Sequence, residues 1–372
     1  MEKKTIYLPG LNGIRAIAAI AVVISHITLS FRDFGLDPYI FGSYDDGSIR
    51  TLDLAGYGVS MFFALSGFLI TYLLFKEKEI NSINIKKFYV RRILRIWPLY
   101  YAYLFLCLAI HFIFNVDFSL KSSLYYLFYS ANIPFVIGGT LPFLAHFWSL
   151  AVEEQFYMFW PWINKLRIKQ ITIFSILGVI LLIGTKTYLH IFRPDTILEQ
   201  FIHVTRFHCM MIGALGAVVF YNKSSFILKI ATNKTIQFIS WGIMFLVMIN
   251  GYHIASFIDN EILTVITVVI ILGQITKTSP LSLENNYFDF LGKISYGIYV
   301  IHPLLIFLYS KILHSITAFD TLNYLIVYSM ILGTTILLSH LSYKYFESKF
   351  LKLKEKKFSV IRSSGTKNYT QH

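Results

Sequence analysis

An arginine and a histidine share one apolar stretch near the start of the sequence, LNGIRAIAAIAVVISH, at residues 11–26. In an α-helix, the spacing of Arg15 and His26 returns them to nearly the same face, with an axial offset of about 16 Å. Ionisable side chains are costly within a bilayer and mark function by default. The pair therefore predicts a cation near one membrane surface and an imidazole well inside. The alternative is a snorkelling arginine with a hydrogen-bonded core histidine.

Two further arginines, Arg92 and Arg95, lie in the stretch RRILRIWPLYY at residues 91–101. Their spacing places them on one face at the start of a helix. Guanidinium groups bind phosphate through two parallel hydrogen bonds. The pair predicts a phosphate site at the inner membrane surface, and ordinary anchoring of a span by basic residues is the alternative.

Two carboxylates, Glu153 and Glu154, interrupt the aromatic stretch FWSLAVEEQFYMFWPW at residues 147–162. Both cannot face lipid at low cost. We expect at least one of them to line a polar cavity or to pair with a cation or a histidine. A structural ion pair with an arginine is the alternative.

A second histidine, His302, precedes Pro303 in the stretch ISYGIYVIHPLLIF at residues 294–307. A proline within a helix frees a backbone carbonyl, and we favour a structural role for His302 in satisfying that kink. In GVSMFFALSGFLIT, at residues 58–71, the small residues Ser60, Ser66 and Gly67 permit close helix approach. Packing explains that stretch adequately.

The composition indicates the medium in which these residues work. The chain is 56% hydrophobic and 14% charged, whereas soluble domains carry about 25% charged residues, and its mean hydropathy is +0.60. The formal net charge of +13 comes from short basic clusters between apolar runs, the pattern of cytoplasmic loops, and we predict no nucleic-acid binding. Cys107 and Cys209 lie in apolar runs and are interpreted as packing residues.

These features predict an all-α polytopic membrane protein with about ten transmembrane helices and both termini cytoplasmic. A membrane domain is expected over residues 1–345, and a basic cytoplasmic tail over 346–372. Acidic residues, including Asp45, Asp46 and Asp53, place the first loop outside. Residues 122–139 are expected to form an outer-leaflet or re-entrant helix, because the basic loops that flank this region require an even number of crossings. The predicted spans are 11–30, 56–75, 94–115, 143–163, 170–188, 207–221, 235–251, 261–276, 291–310 and 323–343.

Taken in their order along the chain, the five sequence stretches quoted above resemble the acyltransferase 3 family of multi-pass membrane acyltransferases. The resemblance extends from about residue 8 to residue 345. The resemblance implies an enzyme of the bacterial inner (plasma) membrane. Such an enzyme transfers an acyl group, usually acetyl from acetyl-CoA, to a hydroxyl of an envelope carbohydrate such as O-antigen, exopolysaccharide or peptidoglycan. Acetyl-CoA is then a substrate, and no permanently bound cofactor and no metal are expected. The expected partners are acyl-CoA, a carbohydrate acceptor that is free or lipid-linked, and the lipid bilayer.

The family's motifs fall on specific residues of this sequence. Its arginine–ten residues–histidine motif falls on Arg15 and His26, and its R-x-x-R motif falls on Arg92 and Arg95. Its conserved glutamate falls on Glu153. The family often opens with Leu-Asp-Gly, whereas this sequence has asparagine at position 12, which cannot act as a carboxylate.

The residues and the resemblance together predict a ligand channel. Arg92, Arg95 and Arg15 are expected to bind the phosphates of acetyl-CoA, while the pantetheine arm extends inward. His26 is predicted to act as general base on the acceptor hydroxyl, oriented or charge-stabilised by Glu153. A transporter or flippase for a lipid-linked sugar or acyl group, without catalysis, is the main alternative, and a structural subunit of an envelope complex is weaker.

Overall fold

The computed structural model describes residues 5–43, 47, 49, 52, 54–116, 119–223, 225–255, 257–313 and 320–364. Of the predicted acidic loop, Asp45, Asp46 and Asp53 lie outside the described residues, as does the end of the predicted tail. The helices are α1 Leu11–Leu29, α2 Leu54–Ile80, α3 Ile85–Phe114, α4 Leu120–Leu127, α5 Asn132–Ile137, α6 Phe147–Ile163, α7 Ile168–Phe192, α8 Ile197–Thr205, α9 Phe207–Tyr221, α10 Ser225–Ala231, α11 Lys234–Met248, α12 Asp259–Thr276, α13 Asn286–Ser310, α14 Asp320–Leu341 and α15 Ser348–Leu353. Two short strands, β1 Thr5–Tyr7 and β2 Arg362–Ser364, pair in parallel.

Each of the ten predicted spans overlaps one helix over most of its length. Within the described part of the chain, 8 helical segments have the length and hydropathy to cross a membrane, with α8 and α9 counted together and α14 continuing to Phe358. The other two predicted spans correspond to shorter helices, α6 with 17 residues and α11 with 15 residues. The fold is therefore that of a helical multi-pass membrane protein.

Residues 122–139 do not form one long helix. They contain most of α4, with 8 residues, and the whole of α5, with 6 residues. Neither helix approaches the roughly 20 residues that a span requires. The amides of Asn132 and Gln155 hydrogen-bond to each other at 2.9 and 3.3 Å, which fastens α5 to α6.

The two ends of the helix bundle can be distinguished by their contacts. At one end, Lys78 near the end of α2 donates to the carbonyls of Asn164 and Lys165, just past the end of α6, at 3.3 and 3.1 Å. Residues near the starts of α1, α3 and α13 line one cavity together with Glu77, which is next to Lys78. These three helices therefore also begin at this end. We call this the arginine end. Helix α7 starts at the same end and spans about 37 Å, so it finishes at the opposite, distal end.

Close helix contacts depend on glycine residues, which have no side chain. A Cβ atom at Gly67 of α2 would overlap the carbonyl oxygen of Met210 in α9, and one at Gly292 of α13 would overlap that of Asn12 in α1. The predicted packing role is therefore confirmed for Gly67. Cys107 and Cys209 are free and buried, which confirms their interpretation as packing residues.

The C-terminal segment returns to the arginine end. Helix α14 continues through a π-helical turn, Ser342–Glu347, then α15 and a second π-helical turn, Lys354–Phe358. Arg91 of α3 donates to the carbonyl oxygen of Phe358 at 3.2 Å. The predicted boundary at residue 345 thus falls inside a continuous helical segment.

Candidate active site

The three arginines that the sequence analysis singled out line one cavity at the arginine end. Arg15 of α1 and Arg92 and Arg95 of α3 all line it. Arg15 and the pair Arg92 and Arg95, which were predicted from separate motifs, thus share one site. We call it the arginine cavity, and its remaining polar lining comprises Asn12, Glu77, Arg91, Lys293, Tyr296, Tyr343, Glu347, Lys354, Glu355 and Ser359.

The rim of the arginine cavity is braced by an ion pair. Arg91 Nη2 lies 2.7 Å from the carboxylate of Glu77 at the end of α2. Since Arg91 also holds the carbonyl of Phe358, it ties the C-terminal segment to the cavity. Lys354 and Glu355 of that segment therefore contribute to the lining.

A second cavity continues from the first into the bundle. Both cavities are lined by the three arginines, and they also share Ile70, Leu73 and Tyr296. The second, which we call the deep cavity, extends to side chains of α2, α6 and α13. The polar ones are Ser66, Ser149, Glu153, Tyr157, Ser295 and Tyr299, and they lie among apolar residues such as Phe62, Phe63 and Leu150. A basic opening thus leads to an interior of mixed polarity.

Glu153 lies on the wall of the deep cavity. Its carboxylate accepts hydrogen bonds from Ser66 and from the hydroxyl of Tyr157. The guanidinium of Arg92 lies 5.1 Å from the centroid of the Tyr157 ring. The prediction that at least one of the two glutamates lines a polar cavity is confirmed for Glu153. Ser66, which was interpreted as a packing residue, belongs to this site.

The two predicted histidines are partners. The Nδ1 atom of His26 lies 2.7 Å from Nε2 of His302, and the two rings stack with centroids 5.0 Å apart. The Nδ1 atom of His302 lies 3.0 Å from the carbonyl oxygen of Ile298. A carbonyl oxygen only accepts, so Nδ1 of His302 carries its proton and Nε2 is an acceptor in the neutral ring.

This network assigns the protons of His26. Because Nε2 of His302 accepts, Nδ1 of His26 donates, and Nε2 of His26 is left with its lone pair. A neutral imidazole with a free Nε2 can remove a proton from a hydroxyl. The structural role expected for His302 is present in its bond to Ile298, and the contact with His26 adds a second role. The partners of Glu153 are Ser66 and Tyr157, so His302 holds the orienting position that we predicted for Glu153.

Three side chains that the sequence analysis did not single out join the histidines to the deep cavity. The hydroxyl of Tyr299 lies 2.5 Å from Ser149 Oγ and donates to the backbone carbonyl of His146 at 2.8 Å. The ring of His146 lies 5.4 Å from that of His302. As far as the described residues show, His26 lines neither cavity. Tyr299 lines the deep cavity and contacts His302, and His302 in turn contacts His26.

The departure at position 12 has a structural counterpart. Asn12 Nδ2 donates to Asp289 Oδ1 at 3.1 Å, and both side chains are buried. A carboxylate is thus present beside position 12, on α13 instead of α1. An aspartate at position 12 would face a second carboxylate, which explains why an amide suits this chain.

Membrane-length helices surround a basic cavity, and a pair of stacked histidines lies beyond its inner wall. These features define a multi-pass membrane protein with a candidate site for an anionic ligand. The family model described as an acyltransferase domain matches residues 8–344, and the chain belongs to this family. The resemblance seen in the sequence is confirmed.

Similar proteins come from Staphylococcus aureus. O-acetyltransferase OatA of strain NCTC 8325 is 26% identical over 391 residues, which cover 95% of this chain and 59% of that protein. A protein of strain COL that is provisionally named an O-acetyltransferase is 27% identical over 380 residues, or 94% of this chain and 58% of its own length. The chain therefore spans less than two thirds of these relatives. No solved structure matches it at a significant level.

Proposed function

We propose that the protein is a membrane O-acyltransferase that moves an acyl group, acetyl in particular, from cytoplasmic acyl-CoA to a hydroxyl of a surface polysaccharide or of its lipid-linked precursor. The family and the names of the relatives support acyl transfer. One observation carries the proposal: Arg15, Arg92 and Arg95 open onto a cavity whose inner wall includes Tyr299, and Tyr299 contacts His302, the stacked partner of His26.

The two ends of the donor match the two parts of this arrangement, the basic opening and the deep cavity. Acetyl-CoA has its negative charges on the nucleotide and its thioester at the tip of a long neutral arm. Arg15, Arg92 and Arg95 bind the phosphates as charge-assisted hydrogen-bond donors. The arm then extends along the deep cavity past Glu153 and brings the thioester towards Ser149. Arginines at the basic opening also suit the cytoplasmic side, where acyl-CoA is made.

The acceptor is activated by the histidine pair. His26 Nε2 removes the proton of the acceptor hydroxyl as its oxygen attacks the thioester carbonyl carbon. The new ester C–O bond forms, the C–S bond breaks, and coenzyme A leaves as a thiolate that takes up a proton. His302 remains neutral and keeps Nε2 as the acceptor for Nδ1–H of His26. His26 is therefore the catalytic residue, and His302 is a positioning residue.

Release of coenzyme A separates this function from transport. The full chain is reconstituted in proteoliposomes with acetyl-CoA and extracted envelope glycans, and free thiol is measured over time. The proposal predicts thiol release that requires both substrates, together with acetyl esters on the glycan. Movement of a lipid-linked sugar without thiol release would instead establish the transporter alternative.

A further inference from the structure

A third cavity lies at the distal end of the bundle, opposite the arginine cavity. Its volume is about 370 Å³, within the range of about 300–1,000 Å³ typical of small-molecule sites. It lies among α5, the end of α7, α8 and the segment before α12. We call it the distal groove, and six of its lining residues carry the argument: Phe135, His190, Glu199, Gln200, His203 and Phe257.

Helix α8 forms one wall of the distal groove and is amphipathic. Ile197 and Leu198 on its apolar side are 65% and 57% exposed, whereas Glu199, Gln200 and His203 line the groove. These three residues lie within a 100° arc of the helix, away from the apolar side. A helix of this kind lies along a membrane surface with its apolar side in the lipid. Since α8 follows the distal end of α7, this orientation of α8 would place the groove where the bilayer meets water.

The groove combines aromatic faces with hydrogen-bonding groups. The ring of His190 stacks on Phe257, with centroids 5.1 Å apart and an angle of 23°. His190 Nδ1 lies 3.6 Å from Glu199 Oε1, and an amide is present at Gln200. Flat apolar faces suit the C–H side of a sugar ring, and carboxylate, amide and imidazole groups suit its hydroxyls.

An aromatic contact connects the groove to the deep cavity. Phe135 stacks on Trp148 with ring centroids 5.3 Å apart, and the guanidinium of Arg206 lies 5.5 Å from the same indole. Trp148 directly precedes Ser149, which lines the deep cavity. The distal groove and the deep cavity are thus linked through the packed rings of Phe135 and Trp148.

We infer that the distal groove binds the acceptor as an uncharged glycosyl unit of a membrane-borne glycan. This inference rests on the proposed function, in which the donor enters at the arginine end. It assigns the two substrates to opposite ends of the molecule. The carboxylate of Glu199 disfavours an anionic sugar, and the surface position of α8 suits a glycan that is held at the membrane.

Binding of simple sugars tests the groove without requiring turnover. The full chain in lipid nanodiscs is titrated with methyl glycosides of glucose, galactose, mannose and N-acetylglucosamine, and binding is followed by saturation-transfer NMR. The groove variants are Phe257→Ala and Glu199→Gln. Their matched controls at the same end are Phe192→Ala, at a side chain that is 64% exposed, and Asp195→Asn, at an exposed residue before α8.

We expect at least one glycoside to bind the unaltered chain and to bind each groove variant at least about fivefold more weakly, with the controls unchanged and the Kd for acetyl-CoA the same throughout. No glycoside binding, or equal weakening in groove and control variants, would overturn the inference. Loss of acetyl-CoA binding in the groove variants would also count against it. Absence of acetyl-CoA binding in the unaltered chain would defeat the proposed function instead, and the glycoside titration would still report on the groove.

Discussion

His26 and His302 form a hydrogen bond of 2.7 Å between Nδ1 of the first and Nε2 of the second, although they lie 276 positions apart in the chain. His302 is fully buried, and its other nitrogen is held by Ile298. The pair therefore has one arrangement of protons when both rings are neutral, with the lone pair of His26 on Nε2. In the proposed mechanism, this arrangement prepares His26 to act as a base before any substrate arrives.

Removing the acceptor at position 302 should impair chemistry without affecting donor binding. We expect His302→Leu to lower kcat by about 10²–10⁴, the usual contribution of a positioned general base, while the KM for acetyl-CoA stays within about twofold. His302→Gln should recover part of kcat, because its amide oxygen can accept from His26. Initial rates of thiol release check both variants at equal membrane abundance. Equal losses in Leu and Gln variants would contradict the role given to His302.

The arginine cavity should govern affinity for the donor. Replacing Arg92 and Arg95 together with glutamine should raise the KM for acetyl-CoA on the order of tenfold to a hundredfold, because hydrogen bonds to charged groups are lost. Lys87→Gln is the matched control, since this exposed residue lies on the same helix outside the cavity. Titration with acetyl-CoA measures the effect. An unchanged KM in the double variant would remove the phosphate role.

The helices could be predicted because hydropathy is a local property of the sequence. A run of apolar residues specifies a span wherever it packs, and the same runs marked Arg15 and Glu153 as out of place. Residues 122–139 could be recognised as an interruption because the basic loops that flank this region require an even number of crossings, and Asn132 and Pro134 also break the apolar pattern. The tail was harder to predict, since its return to the arginine end depends on Arg91.

The pairing of side chains could not be predicted in the same way. Nothing near His302 in the sequence points to His26, and a proline beside it offered a sufficient local explanation. Ser149 and Tyr299 lay within the motifs but resemble ordinary residues of an aromatic span. Their roles depend on which helix faces which, and no periodicity in a single chain specifies that arrangement.

The buried pair of Asn12 and Asp289 should tolerate an exchange of its amide and carboxylate between the two positions, but not a carboxylate at both positions. Asn12→Asp alone places two carboxylates together and should cost about 1–3 kcal/mol of unfolding free energy. Combining Asn12→Asp with Asp289→Asn restores one amide and one carboxylate, and should recover most of that loss. Thermal unfolding of the purified protein in detergent compares both variants with the unaltered chain. A double variant no more stable than the single one would show that the pair does not act as a unit.

Close contact of α2 with α9 should make Gly67 sensitive to a single methyl group. Gly67→Ala should lower the free energy of unfolding by about 1–3 kcal/mol or more, because the new Cβ overlaps the backbone of Met210. Gly184→Ala in α7 is the control, since a Cβ there meets no atom within 4 Å, and it should be neutral or stabilising by up to about 1 kcal/mol. Thermal unfolding compares them. Similar stabilities would contradict the predicted contact.

Acetyl transfer by His26→Ala tests the central claim most directly. The variant is reconstituted beside the unaltered chain at matched abundance, given radiolabelled acetyl-CoA and extracted envelope glycans, and assayed both for donor binding and for label in the glycan. We predict that the Kd for acetyl-CoA stays within about twofold while transfer of label falls to background. Transfer by the variant at a rate comparable to that of the unaltered protein would contradict the assignment of His26 as the base.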